Sequence, residues 1–459
     1  MMQAEIVRKG LVPGVFAGLI GGVISGVALS QIGALPATAS LVHSDSAVVD
    51  FVIHVVVAGI IGAGFGVLVW HQHSGAGETL FWGLTYGALW WFAGPLTLMP
   101  LLQVGFLAWD VHSAQEAFAS LLGHLLYGAS TGLALAAIRR ERPAMHGKTS
   151  IGTLTRGALA GMIGAWLLGD PLVGLLAGVG FALLYPRPPD GTGPALIRGT
   201  VYGFFWWVIG ALTLLPLLGS GRLAWSLEDA RAAFPTLPGY LLAGPAITVT
   251  YQWLDRVVRL LFSDVRGLRD EEGTGTEGLR AVGRGALAGL VGGLLFTVVM
   301  VRVGILPVVA QLVGMRSTAA GLVVHLVIAA VIGVCYGLLF RRQSYDLNSA
   351  LGWGVSYGFF WWILGPLTLI PILLGATPQW TVQTAAGQFA SLVGHLAYGA
   401  GLGIVFHLLE ARQNPWWIPR TRAEAARVGR RKEQLLTSAP ALWALVVVIA
   451  LVLPVLLGV

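Results

Sequence analysis

Apolar runs of about twenty residues, separated by short polar stretches, recur along this chain. A helix rising 1.5 Å per residue needs about 20 residues to cross a hydrocarbon layer of about 30 Å. Runs at 10–30, 49–70, 81–102 and 117–138 predict four such helices. Runs at 281–301, 320–341, 352–373 and 388–409 predict four more, and 440–458 predicts a last one. The two sets of four are one pattern written twice. Residues 14–138 and 285–409 align at a constant offset of 271 without a gap.

A shortened third copy lies between them. Tyr86-Gly-Ala-Leu-Trp90-Trp91 with Pro95 and Thr97 recurs as Tyr202-Gly-Phe-Phe-Trp206-Trp207 with Ala211 and Thr213. It recurs again as Tyr357-Gly-Phe-Phe-Trp361-Trp362 with Pro366 and Thr368. From Gly178 onward the middle copy aligns with the first at an offset of 116, whereas Gly157–Gly161 aligns with Gly14–Gly18 at 143, so about 27 residues are missing. The remainder predicts a short hairpin, 157–168 and 170–185, turning at Gly169-Asp170-Pro171. Its arms reach only ~18 and ~24 Å, and non-helical backbone at that depth must be buried in protein or line water.

The expected architecture is an all-α polytopic membrane protein of three parallel four-helix repeats. The middle copy is reduced to the hairpin plus two spans, and an extra C-terminal transmembrane helix follows. This makes eleven full spans and one incomplete hairpin. The boundaries are 1–148, 149–262 and 280–412 for the repeats, 263–279 for a cytoplasmic linker, 413–439 for a basic interfacial segment and 440–459 for the final helix. Repeats of equal orientation imply an axis along the membrane normal rather than an inverted-repeat design.

Composition agrees: 56% of the 459 residues are hydrophobic, only 11% are charged, and mean hydropathy is +0.77. The net charge of +7 resides at helix ends, not in a nucleic-acid patch. Arg8, Lys9, Arg139, Arg156, Arg280 and Arg284 gather on one side, which the positive-inside rule places in the cytoplasm together with the N-terminus of a plasma (inner) membrane protein. The C-terminus then lies outside. Trp416 and Trp417 followed by Arg420, Arg422, Arg427, Arg430, Arg431 and Lys432 predict a segment lying on anionic lipid. The single Cys335 sits in an apolar run and reads as a packing residue.

Ionisable groups inside a membrane are functional candidates by default. His54, Asp170 and His325 align on the second helix of each copy, and His124, Tyr240 and His395 on the fourth. Both sets fall in the outer third of the bilayer, level with Pro95/Thr97 and Pro366/Thr368. Pro95 cannot donate to Trp91, which predicts a kink there and a carbonyl free to accept from an imidazole. Three uses of this polar ring remain open: a hydrogen-bonded lock between hairpins, a proton or cation pathway, or a haem or soft-metal site held by two histidines. The mid-helix Trp pairs read as rings packed on glycine faces, or as a stacking surface for a lipid-like ligand. No Walker loop, dinucleotide glycine pattern, His-Glu-x-x-His or cysteine cluster is present, which disfavours an enzyme.

A Gly-rich first helix, His54 or His325 opening the second, a proline-broken third, and Gly123-His124-Leu125 or Gly394-His395-Leu396 in the fourth form one pattern. In this order of features each full copy resembles the YagU-like four-helix bacterial inner-membrane proteins. The resemblance implies an envelope protein with a link to acid tolerance, and no settled biochemical activity. Three functions are in play: movement or sensing of a small solute or proton beside the truncated hairpin, with Asp170 the residue to test; a structural or assembly subunit; and a cofactor-binding electron-transfer subunit.

Overall fold

The computed structural model describes residues 2–35, 46–69, 75–139, 149–168, 171–187, 191–262, 274–340, 347–411 and 448–458, and these residues form helices without a strand. The first group is α1 (Met2–Gln31), α2 (Ala47–Val69), α3 (Ala76–Ala93) and α4 (Phe118–Arg139). The middle group is α5 (Ile151–Leu168), α6 (Pro171–Leu184), α7 (Thr192–Trp206) and α8 (Leu237–Phe262). The last group is α9 (Thr274–Val303), α10 (Thr318–Phe340), α11 (Leu347–Leu364) and α12 (Phe389–Ala411), and the chain's end adds α13 (Leu453–Leu456). Nine helices among the described residues are long and apolar enough to cross a membrane, the make-up of a multi-pass membrane protein. Of the two other expected spans, 81–102 lies within continuous helix from Ala76 to Val104, and 440–458 is described only from Val448.

In each group the first helix packs on the second and fourth, and the third on the fourth. Glycine makes the third–fourth crossing close enough for backbone contact. A methyl on Gly128, Gly244 or Gly399 would run into the carbonyl oxygen of Gly83, Gly199 or Gly354 respectively. Lipid supplies no hydrophobic drive between helices, so such close van der Waals packing holds them.

The second helix of the middle hairpin is short, as its sequence predicts, whereas the first begins at Ile151, six residues before the expected start. α5 has 18 residues and α6 has 14, about 27 and about 21 Å of helix. Gly169 and Asp170 at its turn lie outside the described residues, as do 263–273 of the linker and the basic segment 413–439.

The third helices do not kink at proline alone. α3, α7 and α11 each widen into a π-helical turn, over Gly94–Leu98, Trp207–Leu214 and Gly365–Leu369. A threonine hydroxyl in each turn donates to the carbonyl five residues back: Thr97 to Phe92 (2.8 Å), Thr213 to Val208 (2.9 Å) and Thr368 to Ile363 (2.8 Å). The middle turn has Ala211 where the others have Pro95 and Pro366, so threonine rather than proline is the common element. Hydroxyl back-bonding of this kind supplies a partner that the widened ladder lacks.

One apolar core cluster draws on all three groups. It contains Trp91, Trp207, Trp362, Phe118, Phe234 and Leu392, together with Leu451, Val452, Val455 and Leu456. α13 sits against three short helices, Val111–Glu116, Leu227–Ala233 and Val382–Gly387, one following the third helix of each group. The described C-terminal segment is therefore a common contact of all three.

Candidate functional site

The histidines sit near the end of the bundle where α1 ends and α2 begins. Their bonds differ from expectation. Nδ1 of His124 meets the Ser120 carbonyl at 2.8 Å, and Nδ1 of His395 meets the Ser391 carbonyl at 2.8 Å, each one turn back on its own helix. A carbonyl only accepts, so Nδ1 carries the proton in both. The imidazoles thus do not donate to the carbonyl freed by the proline; the threonine hydroxyls serve the widened turn instead. Nε2 of the buried His325 donates to the Gly293 carbonyl at 3.0 Å, and Nε2 of His54 lies 3.2 Å from Ser25 Oγ.

The first and last groups then part. Phe296 packs between His325 and His395, with ring centroids 5.2 and 4.6 Å away. Ser25 stands at the aligned position of the first group and bonds His54. In the middle group Tyr240 is buried with its hydroxyl directed at Gly210 in the widened turn. Asp170, the middle counterpart of His54, lies outside the described residues. Among the described residues no three His, Cys, Asp or Glu side chains converge as metal ligands.

The tryptophan pairs divide their tasks. The second of each pair is buried, and its indole N–H clamps the third helix to the start of the fourth: Trp91 to Ala117 O (3.0 Å), Trp207 to Ala233 O (3.3 Å) and Trp362 to Gln388 O (3.1 Å). Trp90, Trp206 and Trp361 are half-buried and meet Tyr86, Tyr202 and Tyr357 edge-on at 6.2, 6.3 and 6.1 Å. Those tyrosine hydroxyls in turn donate to Ile61, Ala177 and Ile332 on the second helices.

At the opposite end the structure assembles a polar cluster that the sequence does not reveal. Arg198 on α7 pairs with Glu78 on α3 at 3.0 Å, with both side chains more than nine-tenths buried. The Arg198 guanidinium lies 5.2 Å over the ring of Tyr185, which follows α6. Tyr251 on α8 donates to the carbonyls of Tyr185 and Pro186 at 3.2 and 3.3 Å. Arg156 on α5 stacks over Tyr251 at 4.9 Å and pairs with Asp255 on α8. Two ion pairs and two tyrosines thus link every helix of the middle group to α3.

The aligned positions elsewhere are apolar. Tyr185, Arg198 and Tyr251 correspond to Val69, Trp82 and Leu135 in the first group and to Phe340, Trp353 and Phe406 in the last. In the last group those three rings form a buried aromatic cage linked through Tyr336 and Phe340, with centroids 4.7 to 5.8 Å apart. In the middle group Phe181 takes the place of Tyr336, 5.0 Å from Tyr185 and 5.5 Å from Tyr251. The middle group keeps the cage and makes its walls ionisable. Sequence reading counted Arg156 as a marker of orientation. The signal that identifies Arg198 is the alignment, which sets it against two tryptophans.

Outside the membrane layer, the Ser113 hydroxyl and amide hold the exposed Asp110 carboxyl below its ordinary range, at the start of Val111–Glu116. No known protein family, curated protein or solved structure matches the chain.

Proposed function

We propose that this is a multi-pass plasma-membrane protein of three like-oriented four-helix units around an axis normal to the membrane, whose middle unit moves or senses a proton or a small polar solute. The observation that carries the reading is the replacement of apolar cage residues by Tyr185, Arg198 and Tyr251 in one unit of three, with Glu78 of α3 as the buried partner of Arg198. Burying charge costs several kcal/mol per ion, and well-packed apolar side chains usually serve stability as well or better. The other two units hold themselves together with apolar side chains at those three positions, so folding alone does not call for Arg198 and the two tyrosines. The position of the cluster beside α6 agrees, because the 14 residues of that helix reach only about 21 Å, less than the thickness of the layer. The YagU-like pattern of the single unit agrees with an inner-membrane location.

The histidines have the lesser part in this reading. Each bonds a serine or a backbone carbonyl within its own unit, as a structural lock does. The test is proton flux into vesicles carrying the purified protein, followed with an enclosed pH dye. Flux above protein-free vesicles, reduced by Tyr185→Phe with Tyr251→Phe, is expected. Flux equal to that of empty vesicles under every gradient tried leaves the structural or assembly reading in its place.

A further inference from the structure

We infer that Glu78, Arg198 and Tyr185 enclose a hydrated proton-binding site at the seam between α3 and the middle unit, with the Glu78 carboxylate as the group that takes the proton. The site rests on reading the middle unit as the working one. Its evidence is a set of buried polar atoms without partners. Glu78 is 6%, Arg198 5% and Tyr185 7% exposed. Among the described residues, Glu78 Oε2, Arg198 Nε and the Tyr185 hydroxyl have no hydrogen-bond partner. Buried polar groups in folded proteins are nearly always satisfied, and ordered water is the usual partner when protein is not.

The three groups have complementary needs. Arg198 Nε only donates, the ionised carboxylate only accepts, and the Tyr185 hydroxyl does both. Water meets all three, accepting from Arg198 and Tyr185 and donating to Glu78. A metal cation fits less well, because the Arg198 guanidinium already lies 3.0 Å from Glu78 Oε1. A proton adds no such conflict. When it arrives through the bound water, an O–H bond forms on Oε2 and the carboxylate charge disappears. Arg198 then keeps its charge against the face of Tyr185, where a cation is attracted to the ring. When the proton leaves, the ion pair re-forms. The other ionisable groups facing the site are Tyr202 on α7 beside Tyr185 and, behind that ring, Tyr251, Arg156 and Asp255 on α8 and α5.

The experiment is infrared difference spectroscopy of the full-length protein in lipid between alkaline and acid buffer, in water and in D2O. The carbonyl stretch of a protonated carboxyl should appear in acid, shift in D2O, vanish in Glu78→Gln and persist in Asp255→Asn. The pair Glu78→Ser with Arg198→Trp carries the residues found at the corresponding places of the last unit. It should fold, since the ion pair goes as a whole, and should lack the band. A band that survives both Glu78 variants overturns the site, as does a wild-type spectrum without one. The readout does not depend on transport. Vesicle flux without the band removes this site and leaves the wider function, whereas the band without flux keeps the site and removes the transport reading.

Discussion

Gln115 and Arg231 occupy aligned positions 116 residues apart, and both hold the carbonyls that end the chain's last helix. Gln115 Nε2 donates to the Pro454 carbonyl at 2.9 Å, and Arg231 donates through Nε to Val455 and through Nη2 to Leu457, each at 3.1 Å. The last carbonyls of a helix have no partner within it, and a cation there also meets the negative end of the helix dipole. The third aligned position is Ala386, which has no donor to offer.

Arg231→Ala should therefore loosen the C-terminal segment more than Gln115→Ala. Hydrogen bonds from a charged group contribute roughly 1.5–3 kcal/mol and neutral ones about 1 kcal/mol. Thermal unfolding in detergent, with amide exchange read over 448–458, measures both. Equal protection of that segment in Arg231→Ala and wild type would show that the carbonyl contacts do not hold it.

Gly128 and Gly94 offer a contrast within neighbouring elements. An added methyl at Gly128 meets the Gly83 backbone, and backbone yields less readily than a side-chain tip. Nothing lies within 4 Å of the corresponding methyl at Gly94. Gly128→Ala should cost about 1–3 kcal/mol as overpacking, and Gly94→Ala should stay near neutral. If the two variants melt together, α3 and α4 are not held by close backbone approach.

The histidine variants separate lock from pathway. His325 is buried and donates to the Gly293 carbonyl, which also accepts from the Thr297 hydroxyl, so His325→Ala removes one bond without stranding the acceptor and should cost about 1 kcal/mol. His54 is half-buried and its partner is a serine that already reaches the Gly22 carbonyl, so His54→Ala should cost less. Both should leave proton flux unchanged. A fall in flux with normal melting in either variant would return the histidines to the pathway.

The helices were legible because each is a long apolar run. α6, at Pro171–Leu184, lies close to the expected 170–185, whereas α5, at Ile151–Leu168, begins six residues before the expected 157. The widened turn was not legible: proline at 95 and 366 pointed to a kink, whereas Ala211 shows that the bulge forms without one. Nor was the cluster at Arg198. Its partner Glu78 comes from α3 of another unit, and no periodicity along one helix says which helix of the next unit lies beside it. The burial of Arg156 was hidden for the same reason, since basic residues near helix ends ordinarily face water.

Arg156–Asp255 and Arg284–Glu410 fall at aligned positions of the middle and last units, where the first unit has Pro13 and Arg139. Both tie the first helix of a unit to its fourth, but their settings differ. The Asp255 side chain is 11% exposed and that of Glu410 is 37%. Asp255→Ala leaves the Arg156 charge buried against Tyr251, which should cost about 3–5 kcal/mol, as breaking buried pairs does. Glu410→Ala removes a carboxylate whose attraction for Arg284 water already screens, so about 1 kcal/mol is expected. Adding Arg156→Met to Asp255→Ala should recover much of the loss, because the unpaired charge goes with it. Thermal melts of the three variants decide the matter. If the double variant is less stable than Asp255→Ala alone, the cost comes from lost packing of the arginine stem over Tyr251 rather than from stranded charge.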